Sequence, residues 1–169
     1  MSQKKKTFQL LVDNTYGVLS RIAGLFSRRG YNIDSITAGV TADPRITRIT
    51  IVTDGDDEIL EQIEKQLRKL IDVRDIRELV PEESVYRELM LIKVETDKAS
   101  RQTIFSIASQ FRANIIDVGP DSLIIEVIGG TSKIDAFIRL MSDYRILELA
   151  RTGVAGLRRG SEGVVWFDD

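Results

Sequence analysis

Laid over itself with a shift of about 82 residues, this sequence repeats one order of elements, and the repeat limits the folds open to it. Val94 falls on Val12, Ile104 on Ile22, Ile107 on Leu25 and Asn114-Ile115 on Asn32-Ile33. Few residues are identical, but the order is kept. In the first copy, residues 7–13 alternate, with Phe8, Leu10 and Val12 on one face and Gln9 and Asp13 on the other, as a half-buried strand does. Val18, Ile22, Leu25 and Phe26 recur at helical spacing, residues 31–41 and 46–53 are rich in β-branched residues, and Asp43-Pro44 marks the turn between them. Ile59, Ile63, Leu67 and Leu70 predict a second helix opened by Asp56, Asp57 and Glu58, and residues 73–80 a fourth strand. The second copy follows suit: strands at 89–96, 114–118, 123–128 and 146–150, with helix faces at Ile104, Ile107, Ala108 and Phe111 and at Ile134, Phe137, Ile138 and Met141.

A right-handed strand-helix-strand crossover followed by a hairpin and a second helix builds an antiparallel sheet with both helices on one face. The expected fold is therefore α+β, two tandem ferredoxin-like βαββαβ units. Residues 1–80 form the first domain, 81–84 the linker (Pro81-Glu82-Glu83-Ser84), 85–160 the second domain and 161–169 a tail carrying Trp166 and Phe167. Each domain is near the lower size limit for a self-sufficient core, so pairing with another copy is expected.

Composition removes several functions. The 169 residues include no cysteine and no histidine, which excludes disulfides, thiolate chemistry and the commonest general base and metal ligand. A net charge of -2 gives no electrostatic case for nucleic acid, and Lys4, Lys5 and Lys6 read as a solvated lead-in. No apolar run approaches the roughly 20 residues that cross a membrane, so the expected location is the cytoplasm.

Residues 13–33, DNTYGVLSRIAGLFSRRGYNI, carry the candidate site. A strand end, a turn containing Gly17 and a helix start without an obvious cap bring free backbone N–H groups to one point, which suits a small anion. An α-amino acid would take the N–H groups of Gly17, Val18 and Leu19 for its carboxylate, the side-chain oxygens of Asn14 and Asn32 for its ammonium, and Ile33 or Val18 as an apolar wall. Elsewhere the plainer readings hold. Arg28-Arg29 offsets a helix dipole, Glu126 points to solvent or a partner, and Gly129-Gly130 leads into a helix capped by Thr131 or Ser132.

With its D-N-x-x-G-V-L and R-G-Y-N-I signature, the first copy resembles an ACT domain, and the whole chain resembles the regulatory subunit of acetolactate synthase, also called acetohydroxyacid synthase. Residues 60–67, 87–91, 115–118 and 150–153 look like landmarks of that family, and the match runs over nearly all of residues 7–160. The resemblance implies a chain without catalytic residues and without its own cofactor. It would activate a catalytic large subunit that holds thiamine diphosphate, magnesium and FAD, and confer feedback inhibition by valine in branched-chain amino-acid biosynthesis. It also implies a homodimer through the ACT domains, with Asn14 and Gly17 of one chain facing Asn32 of the other, and with Thr37 and Gln62 completing the effector site. Gly39 departs from the small side chain the family pattern places there. Two alternatives stand beside this reading: another ACT-type amino-acid sensor, and a tandem RNA-recognition protein, which the lack of aromatics in residues 46–53 disfavours. A small enzyme lacks any nucleophile and base pair to support it.

Overall fold

The structure, a computed structural model, describes residues 4–163. The first unit comprises β1 (Lys4–Asp13), α1 (Val18–Arg29), β2 (Ser35–Val40), β3 (Ile46–Gly55), α2 (Asp57–Arg68) and β4 (Val73–Glu78). Its strands lie in the order β2-β3-β1-β4, all antiparallel, with Leu10 opposite Ile49 on one side and Ile76 on the other. This is the ferredoxin-like plan. Phe8, Leu10 and Val12 of the central strand are fully buried against Ile22 and Phe26 of α1 and Leu60, Ile63 and Leu67 of α2. The alternation in β1 thus becomes one covered sheet face.

Two details differ from expectation. Lys4 to Lys6 are part of β1 and paired with β3, not a free lead-in; Lys4 meets Asp57 and Lys6 meets Glu78, both at 2.8 Å. In α2 the stripe runs through Leu60, Ile63 and Leu67, with Ile59 and Leu70 only partly buried. Asp56 caps that helix, accepting from the Ile59 N–H at 2.9 Å.

A 3-10 turn at Pro81–Glu83 occupies the expected linker and leads directly into β5 (Ser84–Glu95). The second unit continues with α3 (Lys98–Gln110), β6 (Asn114–Val118), β7 (Ser122–Gly129), α4 (Thr131–Met141) and β8 (Ile146–Arg151), in strand order β6-β7-β5-β8. Its core is built from Met90, Ile92, Val94, Ile104, Leu123, Ile125, Val127, Ile134, Phe137 and Met141. Phe111 stands edge-on to Phe137 at 5.2 Å. Gly130 is the N-cap of α4, and neither Thr131 nor Ser132 caps it. Glu126 lies half-buried, opposite the core residues of β7, and accepts from Asn114 Nδ2 at 3.1 Å. The compact units are Tyr86–Val154 on one hand, and on the other the residues up to Val85 together with those from Ala155 on. The last strand, β9 (Ala155–Arg158), therefore groups with the first unit, although it follows the second in sequence. Trp166 and Phe167 lie outside the described residues.

Candidate effector site

Gly17 is the N-cap of α1, with φ +82° and no side-chain cap. The left-handed backbone is open to glycine at little cost, and the first N–H groups of the helix have no intrahelical acceptor. A Cβ at Gly17 would stand 2.9 Å from Arg21 Nη1, because Arg21 folds back over the helix start. Arg21 is held there by Asp72, at 2.5 Å from Nε and 2.8 Å from Nη2, and also donates to the Tyr16 carbonyl at 3.3 Å. The guanidinium holds the Asp72 carboxyl below the usual carboxylate range, chiefly through these hydrogen bonds. Helix N–H groups and a fixed arginine thus converge where an anion was expected. Sequence reading missed Arg21, which sits on the polar side of α1, and its partner is 51 residues away.

Asn14 lies at the same end of the helix. Its amide nitrogen donates to the Pro44 carbonyl at 2.9 Å, and its oxygen accepts from the Thr47 hydroxyl at 3.2 Å, so the side chain also anchors the turn between β2 and β3. Val18 is buried at 5% exposure, which makes it core more than pocket wall, while Leu19 is half exposed.

The other predicted residues gather at the opposite end of α1. Gly30, in left-handed conformation, closes the helix, and the Tyr31 N–H returns to the Phe26 carbonyl at 2.9 Å. Asn32 follows, with Nδ2 donating to Asp34 at 2.8 Å and to Asp54 at 3.0 Å, which turns its oxygen into the available acceptor. Ile33 packs against the core edge, and the Tyr31 hydroxyl lies 3.2 Å from Gln62 Oε1. Twelve helical residues separate the two groups, a length of about 18 Å. One chain therefore holds the two groups of predicted residues apart. Thr37 lies between them on β2, an edge strand with Ile36 and Val40 exposed. Gly39 has open space where a side chain would project.

The first helix of the second unit has no such opening. Asp97 accepts from the Ser100 N–H at 2.7 Å and the Ser100 hydroxyl accepts from the Asp97 N–H at 3.0 Å, a reciprocal box that fills the start of α3.

Among the described residues, no group of three or more acids could hold a metal, and no helix is long and apolar enough to cross a membrane.

Residues 8–75 match the family model described as "AHAS small subunit-like ACT domain", and residues 87–160 match "Small subunit of acetolactate synthase". A chain of Methanothermobacter thermautotrophicus named "Probable acetolactate synthase small subunit" is 51% identical, over 89% of this chain and 90% of its own length. The acetolactate synthase isozyme 3 small subunit of Escherichia coli K12 is 44% identical, over 94% and 98%. The crystal structure of the acetolactate synthase small subunit from Thermotoga maritima superposes with a TM-score of 0.86 at 42% identity, covering 94% of this chain and 99% of that one. The chain belongs to the acetolactate synthase small-subunit family, and its first unit is the ACT domain of that family.

Proposed function

We propose that this chain is the regulatory subunit of acetolactate synthase: it binds valine between the ACT domains of a homodimer, activates the catalytic subunit and makes it subject to feedback inhibition. The observation that carries the reading is the uncapped start of α1 at Gly17, flanked by Arg21, with its complementary residues at the far end of the same helix. β2 runs from the Asn32 end to the turn beside Asn14, and it is an edge strand. Antiparallel pairing of two β2 edges about a two-fold axis brings Asn14 and Gly17 of one chain to Asn32 of its partner. That pairing also covers Ile36 and Val40, which are 38% and 58% exposed. An amino-acid carboxylate then meets helix N–H groups and Arg21, its ammonium meets the free oxygen of Asn32, and its aliphatic chain meets Leu19 and Ile33.

Thiamine diphosphate, magnesium and FAD belong to the catalytic partner in this reading, and the protein works in the cytoplasm, away from membrane and nucleic acid. The test is reconstitution: acetolactate synthesis by the catalytic subunit rises on adding this chain and falls with added valine. Light scattering gives at least twice the chain mass at micromolar concentration. A monomer that binds valine, or a stimulated complex indifferent to valine, leucine and isoleucine, would overturn the proposal.

A further inference from the structure

A polar cavity lies on the face of the first sheet turned away from the helices. Core residues of β1 point toward the helices, while Gln9 points away, opposite Arg77 of β4 and beside Arg48 of β3. Together with Leu157, Arg158 and Glu162 these residues line about 230 Å³ of space. Most charges around it are matched: Arg77 pairs with Asp75 at 2.9 Å, and Arg158 with Glu83 and Glu162 at 3.2 Å. Arg48 is different. It is half-buried, and its hydrogen bonds go to neutral acceptors, Gln9 Oε1 and the Gly156 carbonyl at 2.9 Å. Both bonds leave from Nη2, so Nε and Nη1 make no hydrogen bond to a described residue.

Burial pushes the Arg48 guanidinium below its ordinary value with no carboxylate to offset the effect. Taking a charge out of water without a counter-charge is costly, and a half-buried guanidinium with unused N–H donors at Nε and Nη1 suits an oxyanion that accepts from one of them. We propose that this cavity is a binding site for a small oxyanion, a carboxylate or phosphate group, held by a free N–H of Arg48 with Arg77 and Arg158 beside it. It is distinct from the effector site, which lies at the ends of α1 on the helical side of the sheet. The volume equals that of about seven or eight liquid waters, enough for a compact small molecule.

Calorimetric titration of the full chain with inorganic phosphate, and separately with acetate, at ionic strength held constant with chloride, tests this. Saturable binding of at least one of them at one per chain is expected. Arg48→Met should weaken it at least tenfold, and Arg28→Met, on the last turn of α1, should leave it unchanged. Thermal melting checks that Arg48→Met is folded. If it is not, Arg158→Met on β9 provides the second variant, with a several-fold loss expected. No saturable binding of either anion, or binding untouched by both cavity variants, overturns the proposal. Assembly with the catalytic subunit lost in Arg48→Met, without anion binding by the parent, would assign the arginine to a partner's acidic side chain instead.

Discussion

Arg21 grips Asp72 with two hydrogen bonds, 2.5 Å from Nε to Oδ2 and 2.8 Å from Nη2 to Oδ1, tying the first turn of α1 to the turn that precedes β4. The Asp13 N–H reaches the Asp72 carbonyl at 2.9 Å, so the loop that carries Asn14 and Gly17 hangs on the same residue. The clamp positions the helix start that the effector is proposed to use.

This clamp has a pH signature. The folded-state pKa of Asp72 is depressed, so its contribution to stability is present above the ordinary carboxylate range and is lost as pH falls through that range and then through the folded value. Asp72→Asn should melt a few degrees below the parent at pH 7, and the gap should narrow as pH falls through and below the ordinary carboxylate range. Thermal melts by circular dichroism across that range measure it. A gap that stays constant with pH would mean that the ion pair contributes nothing.

Gly17→Asp should abolish valine control while leaving activation intact. Its Cβ would meet Arg21 Nη1, its backbone would be strained at φ +82°, and its charge would stand beside the ligand carboxylate. At about 4 Å two like charges repel by roughly 1 kcal/mol even at the dielectric of water. Asn14→Ala should act in the same direction but more weakly, by about 1 kcal/mol for a hydrogen bond, and should also loosen the Pro44 turn. Activity of the reconstituted enzyme against rising valine separates the three proteins. Full inhibition in a folded Gly17→Asp protein would exclude this loop as the sensor.

The fold and the turn at Gly17 into α1 were legible because each rests on a local pattern: alternation in β1, helical spacing from Val18 to Phe26, and a glycine just before the helix, where φ is positive. What escaped the sequence depends on distant partners. Arg21 reads as an ordinary exposed residue until Asp72 is placed beside it, and Lys4 to Lys6 read as a tail until Asp57 and Glu78 meet them. Nothing local assigns β9 to the first unit, since its place follows from the path of the chain and not from its composition. The spacing put Ile59 at the head of the α2 stripe, but Leu60 is adjacent and can head one equally well, and it is Leu60 that is buried.

The burial of Leu60 in α2 can be tested by stability. Leu60 is fully buried and Ile59 only partly so, although the spacing favoured Ile59. Leu60→Ala should cost about 2–5 kcal/mol through lost burial and a cavity. Ile59→Ala should cost about 1–2 kcal/mol, in proportion to its smaller buried area. Urea denaturation of the two variants decides, and an equal or reversed order would mean that the helix is rotated from the position described.

One substitution should stabilise the protein. Arg112, just past α3, has φ +52° and an exposed side chain, and it is the only non-glycine residue with positive φ among those described. The left-handed conformation costs roughly 1–2 kcal/mol for a residue with a Cβ, and glycine returns part of the gain by loosening the unfolded chain. Arg112→Gly should therefore raise stability by about 0.5–1 kcal/mol, read as a higher urea midpoint at unchanged slope.

The two units differ at the start of their first helices, and under the proposed function this sets the number of effector sites. In α1 the N-cap is a glycine, so the leading N–H groups stay available to a ligand carboxylate. In α3 the side chain of Asp97 already takes the Ser100 N–H, and that hydrogen bond holds the Asp97 carboxyl below the usual carboxylate range. A valine carboxylate approaching there would meet a fixed negative charge in place of an open donor. Asn114, the counterpart of Asn32 under the 82-residue shift, is turned toward Glu126, so the acceptor side of a second site is also changed. Calorimetry on the full chain should therefore give one valine per chain, two per dimer, and Gly17→Asp should remove all of it. Asp97→Ala should lower stability through loss of the cap and leave the valine stoichiometry at one. Two valines per chain, or a valine site that survives Gly17→Asp and disappears in Asp97→Ala, would place the sensor in the second unit.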